Sequence, residues 1–65
     1  MMLYVLYPRT DLGWDDPRIF TSFAQVEPLI DQDNFAIAYE GTDELTPVWI
    51  FQLEKGKITR WAVSR

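Results

Sequence analysis

The strongest constraint on the fold is a pair of apolar segments joined by Lys55-Gly56. A two-residue loop that ends in glycine is typical of a β-hairpin. Counting outward from this turn places Glu54 opposite Lys57 and, five pairs further on, Trp49 opposite Ala62. The pattern therefore predicts two antiparallel strands, at residues 48–54 and 57–63, with a fixed register.

Both faces of this hairpin are substantially apolar, whereas a sheet with one wet face should alternate apolar and polar residues. Because one short helix covers a single face, the other face requires the 8–17 loop, a copy of the chain or a partner. A guanidinium is costly to bury, which favours the face of Arg60 as the outer one, although Arg60 is also placed to stack on an aromatic ring. One face carries Trp49, Phe51, Leu53, Ile58, Arg60 and Ala62, and the other carries Val48, Ile50, Gln52, Thr59, Trp61 and Val63.

The rest of the chain predicts three further strands and one helix. Apolar residues from Leu3 to Tyr7 indicate a strand buried on both faces inside the sheet. Large residues alternate with alanine from Phe35 to Tyr39, as in a half-buried strand. Ser22 and Gln25 have the spacing of a capping box that begins a helix. Pro28 predicts that this helix is short and kinked, or that a second turn restarts there.

These elements predict one α+β domain over residues 1–65. We expect a four- to five-stranded, mostly antiparallel sheet with one short helix on one face. The expected strands are residues 2–7, 18–20, 35–40, 48–54 and 57–63, and the expected helix is residues 23–31.

Composition limits what stabilises this domain and what chemistry it performs. The 65 residues include no cysteine and no histidine, so disulfides, thiolate–zinc sites and imidazole ligands are excluded. Apolar residues, 48% of the chain, and aromatic residues, 15%, must supply the stability instead. The opening apolar run stops at Pro8 and lacks the basic leader of a signal peptide, so we expect a protein of the cytoplasm, or of the host cytoplasm if its origin is viral.

Catalytic motifs are missing from the sequence, and we expect a non-enzymatic protein without cofactor, metal or small-molecule substrate. Asp15 and Asp16 form one candidate carboxylate pair and Asp31 and Asp33 another, but acids in turns are usually solvated. The segment from Asp31 to Asn34 begins like a calcium loop. It lacks the glycine at position six and the glutamate at position twelve, so a helix stop followed by a turn is the favoured interpretation.

Charge is unevenly distributed along the chain, whose net charge is −4. An acidic body makes direct nucleic-acid binding unlikely for most of the surface but is compatible with an acidic mimic of nucleic acid. A second alternative is a weak nucleic-acid contact through the basic C-terminal hairpin, with Lys55, Lys57, Arg60 and Trp61. The nine acids between positions 11 and 44 are Asp11, Asp15, Asp16, Glu27, Asp31, Asp33, Glu40, Asp43 and Glu44.

Protein–protein interaction is the function that the sequence favours, through a homo-oligomer or a protein partner. A tryptophan on a loop, as Trp14 is expected to be, is typical of an interface. The favoured interpretation is nevertheless that Trp14 folds back and covers the uncovered face of the sheet. The candidate interface comprises Trp14, Asp15, Asp16, Ile50, Trp61 and Val63, and the alternative face comprises Trp49, Phe51 and Arg60.

The order of elements also carries a resemblance. The step Phe20-Thr21-Ser22-Phe23 opens the helix, and the segment from Ala38 to Leu45 looks like a family motif. In these features the chain resembles small phage-encoded and prokaryotic α+β proteins of uncharacterised function. The resemblance implies a small accessory protein of viral type, an assembly subunit or an inhibitor of a larger complex.

Overall fold

The chain forms an antiparallel sheet of five strands in a computed structural model that describes residues 1–41 and 46–63. The sheet order is β4-β1-β5-β6-β7, and β2 pairs with β3 in a separate small hairpin. The strands are β1 (Met2–Tyr7), β2 (Arg9–Thr10), β3 (Gly13–Trp14), β4 (Arg18–Phe20), β5 (Phe35–Glu40), β6 (Thr46–Glu54) and β7 (Lys57–Ala62). The predicted α+β fold is confirmed.

The β6–β7 hairpin has the predicted register, from Glu54 opposite Lys57 to Trp49 opposite Ala62. Lys55 has φ 51° and Gly56 has φ 78°, and two consecutive positive φ angles define the type I′ turn that suits the twist of a hairpin. The strand bounds differ slightly from the prediction. β6 begins at Thr46, two residues earlier than expected, and β7 ends at Ala62, one residue earlier.

Strand β1 lies inside the sheet, as its continuous apolarity predicted, because it pairs with both β4 and β5. Val5 lies opposite Ile19 on one side and Ile37 on the other. The register between β5 and β6 shifts after Ala38, so that Tyr39 lies opposite Pro47. A proline at this irregular position costs little, because a bulge already interrupts the hydrogen-bond ladder.

The helix is shorter than expected and changes type at Pro28. Helix α1 spans Phe23–Val26 and continues as a 3₁₀ turn at Glu27–Leu29, in which Pro28 is the second residue. We call α1 and this turn together the helical segment. Proline has no amide hydrogen to donate to the carbonyl four residues earlier, so the α-helical pattern stops there. The helical segment therefore ends at Leu29, two residues before the predicted end, and the second turn that the sequence allowed at Pro28 forms as a 3₁₀ turn.

The predicted capping box does not form at the helix start. Ser22 is the N-cap residue, but its side chain makes no capping hydrogen bond. Gln25 instead accepts hydrogen bonds at Oε1 from the backbone N–H and the hydroxyl of Thr21, at 3.3 and 3.4 Å. The Gln25 side chain thus reaches back by one residue more than the motif requires.

The hydrophobic core lies between the helical segment and one face of the sheet. Val26 and Ile30 pack above two fully buried alanines, Ala36 and Ala38. The absence of larger side chains at these two positions lets the helical segment approach the sheet closely. The remaining buried members of the cluster are Leu6 and Phe51, with Met2, Tyr4, Phe20, Phe23, Leu29, Trp49, Leu53 and Ile58 packed around them.

Two further findings complete the fold. The long connection predicted at residues 8–17 contains the β2–β3 hairpin, which turns at Asp11 and Leu12. Residues 42–45, which end the segment from Ala38 to Leu45 that looks like a family motif, lie outside the described residues. In the part of the chain that the structure describes, neither α1 nor the 3₁₀ turn is long and apolar enough to cross a membrane.

Candidate functional site

The helical segment covers the face of the sheet that carries Trp49 and Phe51. Because side chains alternate along a strand, the opposite face is fixed by the strand registers. We call this opposite side the open face. In three rows it carries Leu3, Tyr39 and Pro47; Ile19, Val5, Ile37, Ile50 and Trp61; and Tyr7, Phe35, Gln52 and Thr59.

The middle row crosses all five strands without a polar residue, and we call it the central row. Its order follows directly from the pairings, from Ile19 on edge strand β4 through Val5, Ile37 and Ile50 to Trp61 on edge strand β7. The two ends are the most open to solvent, with 67% of Ile19 and 51% of Trp61 exposed. Val5 is buried, with 8% of it exposed, and Ile37 and Ile50 are partly buried, so the accessible apolar surface of the row lies mainly at its two ends. Large exposed apolar side chains of this kind are typical of an interaction site.

Polar groups near the central row are hydrogen-bonded to one another. Trp61 donates from Nε1 to the hydroxyl of Thr59 at 3.2 Å, and that hydroxyl donates to the carbonyl of Gln52 at 3.3 Å. The hydroxyls of Tyr7 and Tyr39 share a hydrogen bond of 2.8 Å. Groups that are already paired lose little when water is removed from them, so this face is suited to burial.

The two tyrosines lie lengthwise on the open face. Tyr7 pairs with Phe35 at one end of the strands, and Tyr39 pairs with Leu3 at the other. The two pairs are four residues apart along the strands, a distance of about 13 Å. Since the two hydroxyls nevertheless meet, the rings must lean toward each other. Burial, with added contributions from the hydrogen bond and the charge of Tyr7, raises the pKa of Tyr39 to about 12.

This raised pKa predicts a loss of stability in strong base. An unfolded tyrosine ionises near pH 10, about two units below Tyr39 in the folded chain. The folded state therefore holds a proton that the unfolded state releases, and the free energy of unfolding falls as the pH rises from about 10 to 12. Below pH 10 this contribution is constant. Urea unfolding at a series of pH values measures the slope.

Tyr39→Phe is the matched variant for this measurement. It removes the ionising hydroxyl and keeps the ring, so the part of the slope that Tyr39 contributes should disappear. Absorbance titration of the tyrosinates should in parallel lose its highest-pH step. A slope and titration unchanged in Tyr39→Phe would contradict the assignment.

Trp14 extends the open face at the Phe35 end of the sheet. Its ring meets the ring of Phe35 edge-on, with centroids 5.4 Å apart, and Phe35 stacks on Tyr7 at 5.1 Å. Trp14 thus folds back against the sheet, yet 63% of it stays exposed. The β2–β3 hairpin positions it, since the N–H of Asp15 donates to the carbonyl of Pro8 at 2.9 Å.

Asp15 and Asp16 follow Trp14 and are both exposed. The Asp15 carboxylate accepts a hydrogen bond from the N–H of Asp16 at 2.8 Å, which is typical of a turn. These acids therefore lie beside the open face, next to its Trp14 end. Val63 lies at another border of that face, where its N–H donates to the carbonyl of Val48 at 2.9 Å.

The alternative interface, Trp49 with Phe51 and Arg60, belongs to the face that the helical segment covers. The interpretation of the Arg60 face as the outer one was therefore wrong. Arg60 is exposed at the margin of the core and stacks over Trp49, with the guanidinium carbon 4.0 Å from the ring centroid. This cation–π contact keeps the charge in water while the stem covers apolar surface.

The remaining candidates form ordinary turns. The Asp31 carboxylate accepts hydrogen bonds from the N–H groups of Asp33 and Asn34, at 2.8 and 3.1 Å. Asn34 in turn contacts the β2 strand by accepting from the N–H of Arg9 at 3.2 Å. Among residues 1–41 and 46–63 no group of acids is arranged to hold a metal ion.

Comparison with known proteins adds no relative, because no protein-family model, curated protein or solved structure matches this chain. The resemblance to small phage-type proteins thus stays a prediction.

Sequence reasoning missed most of the open face outside the hairpin. Ile19, Val5 and Ile37 join Ile50 and Trp61 only through the pairing of β1 with β4 and β5. The alternation from Phe35 to Tyr39 signalled that large side chains share one side of β5, opposite the alanines. It did not indicate which strands lie beside them.

Proposed function

We propose that this chain is a non-enzymatic protein-binding module that docks through the open face. The observation that carries the proposal is the central row, which is apolar across the whole sheet and has its exposed ends at Ile19 and Trp61. Large apolar surfaces of this kind on small domains mark interfaces. A tryptophan at the rim, as Trp14 is, adds the type of residue that dominates binding energy.

The accessory role and the cytoplasmic location belong to the same proposal. A chain without cysteine is compatible with a reducing compartment, and its size suits a subunit or an inhibitor of a larger complex. A phage-type origin is part of this hypothesis and rests on the helix-opening step at Phe20 to Phe23.

An acidic mimic of nucleic acid is the second candidate, favoured by the exposure of Asp11, Asp15, Asp16, Asp31 and Asp33. Binding through these carboxylates should weaken steeply with salt, whereas binding through the open face should change little. A nucleic-acid contact by the hairpin gains less support. Lys57 and Trp61 lie on the same side of β7, with Lys57 just beyond the three rows of the open face, but Arg60 points to the opposite side and is engaged with Trp49.

Capture on beads tests the protein-binding function. The immobilised chain is incubated with extract of the cells that produce it, at low and high salt, and the captured proteins, untagged copies included, are quantified. We expect Trp61→Ala to reduce capture at least about tenfold at both salt concentrations. Leu12→Ala, at a fully exposed position on the β2–β3 turn, is the control and should have no effect.

The opposite pattern would contradict docking through the open face. Capture that persists in Trp61→Ala but is lost in high salt and in the double variant Asp15→Lys, Asp16→Lys would support the mimic instead.

A further inference from the structure

We infer that the occupant of the open face is the open face of a second copy of this chain, packed about a two-fold axis that runs along the central row. This inference rests on the proposed function, because it names the partner of the same surface. Four features of the described residues carry it: the area of the face, its charge, its internal hydrogen bonds and the position of the β2–β3 hairpin.

The area meets the lower limit for a specific dimer. Strands lie about 4.8 Å apart and residues rise about 3.4 Å each, so five strands and three rows outline roughly 400 Å² of flat area. Two such faces, with the relief of their side chains, bury on the order of 1,000 Å². Sheets pack in this way about 10 Å apart with their strands within about 30°. Interfaces at this lower limit are typical of weak and reversible contacts, so we expect a dimer that dissociates on dilution.

The charge distribution permits two acidic copies to meet at this face. The net charge of each copy is −4, but the three rows of the open face contain no charged residue. Glu54 and Lys57, the next pair beyond Gln52 and Thr59, lie opposite each other at the hairpin tip and cancel. Asp15 and Asp16 are exposed beside Trp14 at the border of the face, and a two-fold axis along the central row places the two acid pairs at opposite ends of the dimer. The rows themselves therefore meet without like charges.

Internal hydrogen bonds also favour an apolar partner. Tyr7, Tyr39, Trp61 and Thr59 already pair their side-chain polar groups within the chain. The exposed side-chain amide of Gln52 is the exception in the three rows. Beyond it, a partner that offered polar groups would find few free ones to bind, whereas an identical face offers mainly apolar side chains. A self-complementary face is what a two-fold dimer requires.

The hairpin fixes the direction of the axis. Trp14 stands beside Phe35 at one end of the strands, while Leu3 and Tyr39 lie at the other end. An axis along the central row reverses the strand direction, so the two hairpins lie at opposite ends and do not collide. Each Trp14 then extends over the Leu3 end of the other copy. Each residue of the central row, Ile37 in its middle included, then faces the same residue of the other copy.

Sedimentation and light scattering test the dimer on the full chain from about 1 µM to about 1 mM. We expect a monomer–dimer equilibrium whose dissociation constant lies within this concentration range. Trp61→Glu and Ile19→Lys, at the two exposed ends of the central row, should each weaken it roughly 100-fold, because every substitution acts twice in a symmetric dimer. Leu12→Glu, at a fully exposed turn position, should leave it unchanged. Circular dichroism checks that each variant is folded.

Single cysteines test the axis, since the natural chain contains none to interfere. Like residues approach each other along a two-fold axis, so Ile19→Cys should link to its copy through a short bis-maleimide. Leu12→Cys, on the hairpins at opposite ends, should not. Cross-linking at position 12 but not at 19, or a dimer that survives Trp61→Glu, would overturn the inference.

Different results would refute the dimer and the protein-binding function. A chain that stays monomeric to 1 mM while bead capture still depends on Trp61 overturns the second copy and retains the protein-binding function for another partner. If the chain stays monomeric and bead capture is the same with and without Trp61, both the dimer and docking through the open face are refuted.

Discussion

Replacing Phe51 by alanine should remove most of the free energy of unfolding of this domain. Phe51 is 7% exposed, and its ring lies 4.7 Å from Phe23 and 6.3 Å from Tyr4 between ring centroids. It therefore connects β6 to the helix and to β1. Truncation of a buried phenylalanine costs about 3–5 kcal/mol, and a domain of this size has a total stability near the lower end of about 5–15 kcal/mol. Urea or thermal unfolding followed by circular dichroism measures the loss.

Trp61→Ala is the matched control for Phe51→Ala. Both positions are aromatic and lie on the C-terminal hairpin, but Trp61 is on the open face with half of its surface in water. We expect Trp61→Ala to cost no more than about 1 kcal/mol in dilute solution, where self-association does not contribute. Equal losses in the two variants would show that the helical segment does not cover the Phe51 face.

Enlarging Ala38 to leucine should destabilise the fold by about 2–3 kcal/mol. Ala38 is fully buried between Tyr4 on β1 and Trp49 on β6, beneath the cluster that includes Val26. A larger side chain has to displace the helical segment from the sheet or adopt a strained rotamer. For a domain of this length each kcal/mol lowers the midpoint of thermal unfolding by about 4–8 °C, so the shift is large enough to measure.

Ala62→Leu supplies the comparison for this overpacking. Ala62 also lies on a strand of the same face but is exposed, so the added side chain meets water and should change stability by less than about 0.5 kcal/mol. If Ala38→Leu were as well tolerated as Ala62→Leu, the tight packing of the buried cluster over Ala38 would be refuted.

Local pattern predicted the elements well, because the information for each was contiguous. The Lys55-Gly56 turn set the register of β6 and β7 to the residue, and alternation located β5. The small β2–β3 hairpin was not predicted, because a strand of two residues is too short to show an alternating pattern. The helix end was misplaced because Pro28 does not by itself indicate whether an α-helix restarts or a 3₁₀ turn follows.

The candidate site was less predictable, because it depends on which face the helix covers. Arg60 was the one sequence signal for this choice, and it indicated the wrong face. A guanidinium in the interior is costly, but Arg60 avoids that cost by stacking on Trp49 at the margin of the core. The central row was unpredictable for another reason, since it joins strands that are distant in the sequence.

The strand order has a consequence for how the chain folds. Strands β5, β6 and β7 are neighbours in the sheet and consecutive in the chain, whereas β1 reaches β5 only after the chain between residues 8 and 34 has closed into a loop. Closing a longer loop costs more entropy, so we expect the C-terminal meander to assemble first and to act as the template for β1 and β4. Until the helical segment docks, Ala36 and Ala38 stay uncovered, so both faces of the early meander expose apolar side chains to water.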